Sequence, residues 1–227
     1  APFDKATIAE VEILKQNPTA LEDAFYKEIE FGTGGMRGIM GAGTNRINQY
    51  TLGKASQGLA NYLNSKKESS TPKVVIAYDC RHNSETFSKA VAQVFSANDI
   101  QAYVFSSLRP TPLLSFAVRY LKADAGIVLT ASHNPPEYNG YKVYNKYGGQ
   151  IVPPEDNAIM DLIQAVSYTD IKWEQKEELI QLIDKEIDQA YTTTIVNDSF
   201  LTAAERKESS IIFTPLHGTS IVSLPPV

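Results

Sequence analysis

Val74-Val-Ile-Ala-Tyr78 is followed by apolar positions at Phe87, Val91 and Val94, then by Ala102-Tyr-Val-Phe105, then by apolar positions at Leu114, Ala117, Val118 and Leu121, and finally by Gly126-Ile-Val-Leu-Thr130. The three unbroken apolar runs have the length of strands, and the positions between them fall on single helix faces. A strand covered on both faces reads as a continuous apolar run, and a parallel strand reaches its neighbour through a crossover helix. The segment therefore predicts strand, helix, strand, helix, strand, with Thr111 before Pro112 suited to open the second helix. Right-handed crossovers then give a doubly wound α/β fold, a mixed, largely parallel sheet sandwiched by helices.

In such a sheet the ligand crevice lies beyond the carboxyl ends of the strands, so residues 79–84, 106–111 and 131–139 are expected to meet at one rim. Upstream, Ile8, Val11 and Leu14 and then Leu21, Phe25 and Ile29 predict two lead-in helices, with Pro18 in a first turn. Phe31-Gly-Thr-Gly-Gly-Met-Arg-Gly-Ile-Met-Gly-Ala-Gly43 carries six glycines in thirteen residues. Each costs a helix interior about 1 kcal/mol relative to alanine, so the stretch is expected to be loop. Downstream, residues 140–144 and 150–152 read as strands flanking a Gly148-Gly149 turn. Ile159, Leu162, Ile163 and Val166 read as a helix, and the charged residues 173–194 as surface helix. Residues 209–214 read as the opening of a buried strand.

The chain has 227 residues, 43% of them hydrophobic and 21% charged, enough for a sizeable core and unlike a disordered, collagenous or coiled-coil sequence. Its net charge of -5 and pI near 5.3 argue against a nucleic-acid partner met through a basic surface. No apolar run approaches the roughly 20 residues that cross a bilayer, so no membrane partner is expected. The single cysteine, Cys80, forms no internal disulfide, and the first residues lack a basic start and apolar stretch. A cytoplasmic location is the expectation.

The densest chemistry is Thr130-Ala-Ser-His-Asn-Pro-Pro-Glu-Tyr-Asn-Gly-Tyr-Lys142, where a buried strand runs into a loop bearing a hydroxyl, an imidazole and an amide. Pro135 and Pro136 fix φ and stiffen the loop around Ser132, as a nucleophile requires; a capped rigid turn has the same signature. His133 beside Ser132 suggests a hydrolase pair. Adjacent residues on an extended segment point apart, however, and no G-x-S-x-G elbow is present. Gly32-Thr-Gly34-Gly-Met-Arg37 departs from a dinucleotide fingerprint, since arginine stands where the third glycine belongs and no strand precedes it. Its glycines are expected to let backbone amides approach a phosphate, with Thr33 and Arg37 facing the crevice.

Thr130-Ala-Ser-His-Asn-Pro135 followed by Asn139-Gly-Tyr-Lys142 resembles the phosphoserine loop of the α-D-phosphohexomutases, the phosphoglucomutase and phosphomannomutase superfamily. Phe31-Gly-Thr-Gly-Gly-Met-Arg-Gly38 is similar to that family's first active-site loop, Tyr78-Asp-Cys-Arg81 to its Asp-x-Arg turn, and Thr214-Pro-Leu-His-Gly-Thr219 to the start of its second domain. The glycine wording and the Pro136-Glu-Tyr-Asn-Gly insertion are most similar to the phosphoglucomutase-2-like and phosphopentomutase branch.

The resemblance implies residues 1–207 as the first domain and 208–227 as the beginning of a second. Ser132 would then carry a phosphoryl group, and a sugar phosphate would be the partner, passing through a sugar 1,6-bisphosphate. Lys142 would move the hydroxyl proton, with Arg37 supplying charge. His133, Asn134, Thr33 and Gly34 would meet phosphate or sugar oxygens, and Asp79 and Arg81 would steady the serine loop. It also implies Mg²⁺ on the Ser132 phosphate, with three aspartates of an Asp-x-Asp-type loop that this sequence lacks. A serine hydrolase and a non-catalytic sugar-phosphate-binding module remain as alternatives.

Overall fold

The computed structural model describes residues 3–32, 34–66, 71–200, 203–208, 210–216 and 218–224. In chain order it contains α1 (Lys5–Leu14), α2 (Pro18–Phe25), β1 (Gly35–Ile39), α3 (Gln49–Ser65), β2 (Lys73–Tyr78), α4 (Ser84–Ala97), β3 (Gln101–Phe105) and α5 (Thr111–Tyr120). There follow β4 (Ala125–Leu129), β5 (Tyr138–Asn145), α6 (Glu155–Gln164), a 3₁₀ turn (Glu177–Leu179), β6 (Ile180–Ile183), α7 (Lys185–Asn197) and α8 (Ala203–Glu208). The strands make one sheet in the order β1-β5-β4-β2-β3-β6, in which β4, β2, β3 and β6 run parallel and β5 is antiparallel to both neighbours. The three strands and two crossover helices read from residues 73–130 stand where their apolar patterns place them.

Successive side chains of a strand point to opposite faces, and each face is covered. Val74, Ile76 and Tyr78 of β2 enter one core with Leu52, Ala55 and Leu59 of α3, Phe87, Val91 and Phe95 of α4, and Ile159 of α6. Val75 and Ala77 enter the other with Leu113, Leu114, Ala117 and Val118 of α5 and Ile187 of α7. Full burial of a large aliphatic side chain contributes about 1.5–3 kcal/mol, so these two layers fix the sheet and leave its carboxyl rim as the open edge.

Several segments depart from the sequence reading. The glycine-rich stretch contains edge strand β1 rather than loop alone, in register with β5 through Gly35↔Lys142 and Arg37↔Gly140. Helix propensity, which excludes glycine from a helix interior, says little about an edge strand whose amides find partners across a ladder. The pairing needs glycine: Gly35 has φ +151°, and a Cβ there would lie 2.1 Å from the Tyr141 carbonyl oxygen. At Gly140 a Cβ would lie 2.6 Å from both the Met36 and Thr130 carbonyl oxygens and 3.1 Å from Arg37 Cγ. Gly140→Ala is accordingly expected to cost about 3 kcal/mol through forced overpacking, read as a lower urea midpoint at unchanged slope. An unchanged midpoint would contradict the close approach of β1, β5 and β4.

Helix α3 forms from a segment whose pattern alone predicts no element. Asn48 caps it, its side chain accepting from the amides of Tyr50 and Thr51 while Thr51 Oγ1 accepts from the Asn48 amide. Residues 173–194 are not one surface helix but an irregular run, the 3₁₀ turn, β6 and α7. The residues of β6 pair with β3 at the sheet edge, where Gln181 interrupts the apolar run and Leu182 stays 65% exposed. Gln150 makes only an isolated bridge to Tyr144, so residues 150–152 return along β5 without forming a strand. Residues 210–214 carry no element, and Ile211 and Ile212 are exposed; a strand requires a ladder partner, and none of the described residues supplies one. Among the described residues no helix is long and apolar enough to cross a membrane.

Candidate active site

The ends of β2, β3 and β4 converge on a crevice of about 530 Å³. Its wall takes Asp79, Arg81 and His82 from the first loop, Arg109 to Thr111 from the second, and Thr130, Ser132, Asn134 and Pro136 from the third, with Gly218 and Thr219 closing one side. The three rim segments expected from topology thus meet.

The loop after β4 holds Ser132 in a sparsely populated conformation. Its φ is +57°, in the left-handed region that non-glycine residues rarely adopt. The Thr130 hydroxyl accepts from the Ser132 amide at 3.0 Å, and the Ala131 carbonyl accepts from the Asn134 amide at 3.1 Å. The backbone therefore turns sharply and presents the exposed Ser132 side chain to the crevice. This turn also overrules one sequence argument: the segment is not extended, and Ser132 Oγ lies 3.3 Å from His133 Nδ1. No carboxylate among the described residues is recorded bonding the His133 ring, so the pair lacks the third group of a hydrolase triad.

Arg81 clamps the loop from beneath. Its guanidinium donates to the carbonyls of Ser132 at 2.9 Å, Asn134 at 2.6 Å, Pro135 at 2.8 Å and Tyr138 at 3.0 Å. Prolines donate no backbone hydrogen, and in this loop the carbonyls carry the contacts instead. Asp79 orients the clamp: its Oδ2 faces Arg81 Nε at 3.4 Å as an ion pair without a hydrogen bond, while its Oδ1 accepts from the Arg81 amide and the Ser84 hydroxyl, each at 3.0 Å. Fully buried Asn139 joins the network, donating to the His82 carbonyl and Ser84 Oγ.

Arg37 and Lys142 stand on the β1–β5 ladder, outside the lining of the crevice itself. Their cross-strand partners are Gly140 and Gly35, so both long side chains project from one face over positions without side chains. Arg37 Nη1 approaches Asn134 Oδ1 at 3.5 Å, which brings a cation to the serine loop. Partial burial first, and the Arg37 charge second, pull the Lys142 ammonium below the ordinary lysine pKa. A lysine so perturbed gives up its proton at lower pH than a solvated one. Gly34 is buried in the turn before β1, with its carbonyl accepting from the Val143 amide at 2.9 Å, and it supports the ladder rather than the crevice wall. Thr33 lies outside the described residues.

The sequence reading overlooked Arg109 and its partners Asp184 and Asp188. Arg109 sits in the crevice wall with its side chain 3% exposed, and it makes a bidentate pair with Asp188 at 2.8 and 2.7 Å. Its position in the rim loop was legible. Its acidic partners were not, because they follow a strand whose charged surroundings predict surface helix. Among the described residues no group of three or more His, Cys, Asp or Glu side chains is placed to hold a metal ion, so the residues present do not by themselves fit a divalent cation.

The domain thus presents a clamped serine at its crevice, an arginine reaching the serine loop and a half-buried lysine on the adjoining ladder. Residues 28–170 match the family described as phosphoglucomutase/phosphomannomutase, alpha/beta/alpha domain I, and the chain belongs to that family. It is 34% identical over 218 residues to a phosphoglucomutase of Staphylococcus haemolyticus, and 36% identical over 215 residues to one of Staphylococcus aureus. These alignments cover 93% of this chain and 39% and 38% of the relatives, so the chain spans about two fifths of their length. Among solved structures it is similar to a Thermus thermophilus protein assigned as a phosphomannomutase. That match has a TM-score of 0.62 and 30% identity, covering 75% of this chain and 36% of the other. The open form of Paramecium parafusin, at 18% identity and a TM-score of 0.59, shares the fold; that match covers 77% of this chain and 36% of the other.

Proposed function

We propose that this chain is the serine-bearing domain of a phosphohexomutase that moves phosphate between C1 and C6 of a hexose phosphate of glucose or mannose type. On this reading residues 1–207 form that domain and 208–227 begin the next. The observation that carries it is the Ser132 hydroxyl, turned into the crevice by a left-handed backbone on a loop whose carbonyls are held by four Arg81 contacts, with Arg37 and Lys142 on the adjoining ladder.

Ser132 carries the phosphoryl group. As the bond from phosphorus to Ser132 Oγ breaks, one forms to a sugar hydroxyl, whose proton passes to neutral Lys142, and a proton returns to Ser132 Oγ. The resulting sugar 1,6-bisphosphate turns around and gives its other phosphate back to Ser132. Arg37 neutralises charge on the moving group, while His133 and Asn134 contact its oxygens or those of the sugar. Among the described residues only Ser132, through its phosphate, would hold Mg²⁺, which when bound would supply charge neutralisation there.

The test is a coupled assay of the complete protein with Mg²⁺ and a sugar 1,6-bisphosphate. Conversion of glucose 1-phosphate or mannose 1-phosphate to the 6-phosphate is expected. Conversion of ribose 1-phosphate alone would move the reading to a phosphopentomutase, and binding of sugar phosphate without conversion would make the domain a binding module.

The Lys142 geometry also sets a pH dependence. A proton acceptor must be neutral, so activity rises with pH through the lowered Lys142 pKa. Arg37→Gln removes one of the two causes of that lowering, and its rising limb is expected at higher pH than in wild type, with a rate about 100-fold lower. A pH–rate profile showing both enzymes with the same limb would separate Lys142 from the proton transfer.

A further inference from the structure

Arg109 lies in the crevice wall, yet its guanidinium has nothing left to offer a substrate. Nε and Nη2 donate to Asp188 at 2.8 and 2.7 Å, Nη2 also meets Asp184 at 3.3 Å, and Nη1 donates to the Ser107 hydroxyl at 2.6 Å and the Leu108 carbonyl at 2.9 Å. Asp184 and Asp188 stand at the carboxyl end of β6 and the start of α7, so the ion pair ties the outer edge of the sheet to the rim loop after β3. The arginine is an anchor in the wall, not an anion binder.

What it anchors is the next loop inward. The Arg109 amide donates to the Tyr78 carbonyl at 3.0 Å, and the Tyr78 hydroxyl donates back to the Ser106 carbonyl at 3.0 Å. Tyr78 is the last residue of β2. Its successor Asp79 bonds through its amide to the Leu129 carbonyl at 3.1 Å and pairs through its carboxylate with the charge of Arg81, whose terminal nitrogens hold the serine loop. We infer that Arg109, locked by Asp188, is a positioning residue: it sets the Tyr78–Arg81 turn and through it the placement of Ser132. The inference rests on the phosphoryl-transfer reading for its kinetic consequence but not for its structural one. Displacement of a reacting group by about 1 Å costs on the order of 100-fold in rate, whereas uniform binding of the substrate is little changed.

The experiment uses the complete protein with two variants, Asp188→Asn, which keeps the shape of the anchor and removes its charge, and Arg109→Lys, which keeps the charge and removes the bidentate fork. Steady-state kinetics well below the melting temperature are paired with hydrogen exchange at the Asn134 amide. The expectation is kcat about 10-fold lower with KM within about 2-fold of wild type, and exchange at Asn134 about 10-fold faster, in Asp188→Asn. Arg109→Lys is expected to do the same or more; should it fail to fold, Asp188→Asn decides alone. A lowered melting temperature with unchanged kcat and unchanged exchange at Asn134 would overturn the inference and leave a merely structural ion pair. Wild-type protein without mutase activity would refute the functional reading separately, and the exchange measurement would still decide the positioning.

Discussion

Replacing Ser132 with alanine in the complete protein is expected to lower mutase activity by at least about 10⁴-fold, because removal of a covalent carrier leaves no second route through the same intermediate. The fold is expected to persist, with a melting temperature within about 2 °C of wild type. The Ser132 side chain is exposed, and among the described residues its hydroxyl touches only His133 Nδ1, at 3.3 Å. Alanine bears the same left-handed strain as serine at φ +57°, so the backbone cost is common to both. Residual activity near wild type would mean that the crevice works without a phosphoserine. Activity lost together with the melting transition would mean that the hydroxyl is structural.

Arg81→Met is expected to lower stability and activity together. Methionine keeps the length and apolar stem of the side chain but cannot donate to the carbonyls of Ser132, Asn134, Pro135 and Tyr138, and it leaves Asp79 without its cation. Net loss of four charge-assisted bonds, partly replaced by water, is expected to cost about 3 kcal/mol. For a chain of this size that corresponds to a melting temperature lower by about 9 °C. Mutase activity measured at a temperature where the variant is still folded is expected to fall by about 100-fold, because the serine loop is no longer held in one place. A stability loss without an activity loss would show that the loop keeps its shape without the clamp, and that Thr130 and the two prolines suffice.

The parts of this architecture that were legible in the sequence are those where burial on both faces leaves an unbroken apolar signature. β2, β3 and β4 are of that kind, and a general rule about parallel sheets then locates the crevice from the strand ends alone. The serine loop was legible because Ser132, His133 and Asn134 are crowded at one such strand end. The misread elements share a physical cause: their partners lie far away in sequence. β1 is a strand only because Tyr138–Asn145 is there to pair with it, and its glycines, read locally, spell loop. β6 is a four-residue edge strand with one face open, so Gln181 and Leu182 carry no burial signal. α3 is deeply buried, but Gly53 and Gly58 interrupt its periodic pattern.

The same limit explains the site. Arg81 was identified through a local motif, whereas the commitment of Arg109 to Asp188 depends on the packing of an edge strand that the sequence did not reveal. The left-handed turn that brings His133 Nδ1 toward Ser132 Oγ is likewise a tertiary result, imposed by Arg81 and by the β4–β5 pairing around it. Reading Ser132 and His133 as pointing apart assumes an extended chain that the loop does not have.

The central claim, that Ser132 carries the phosphoryl group, is tested most directly by a fragmentation mass spectrum across residues 130–142 of the complete native protein, taken before and after incubation with a sugar 1,6-bisphosphate. The account predicts one phosphoryl group on Ser132 that is gained from the bisphosphate and discharged on addition of sugar monophosphate. A Ser132 that remains unmodified under both conditions, in a protein that nonetheless interconverts sugar phosphates, would contradict it.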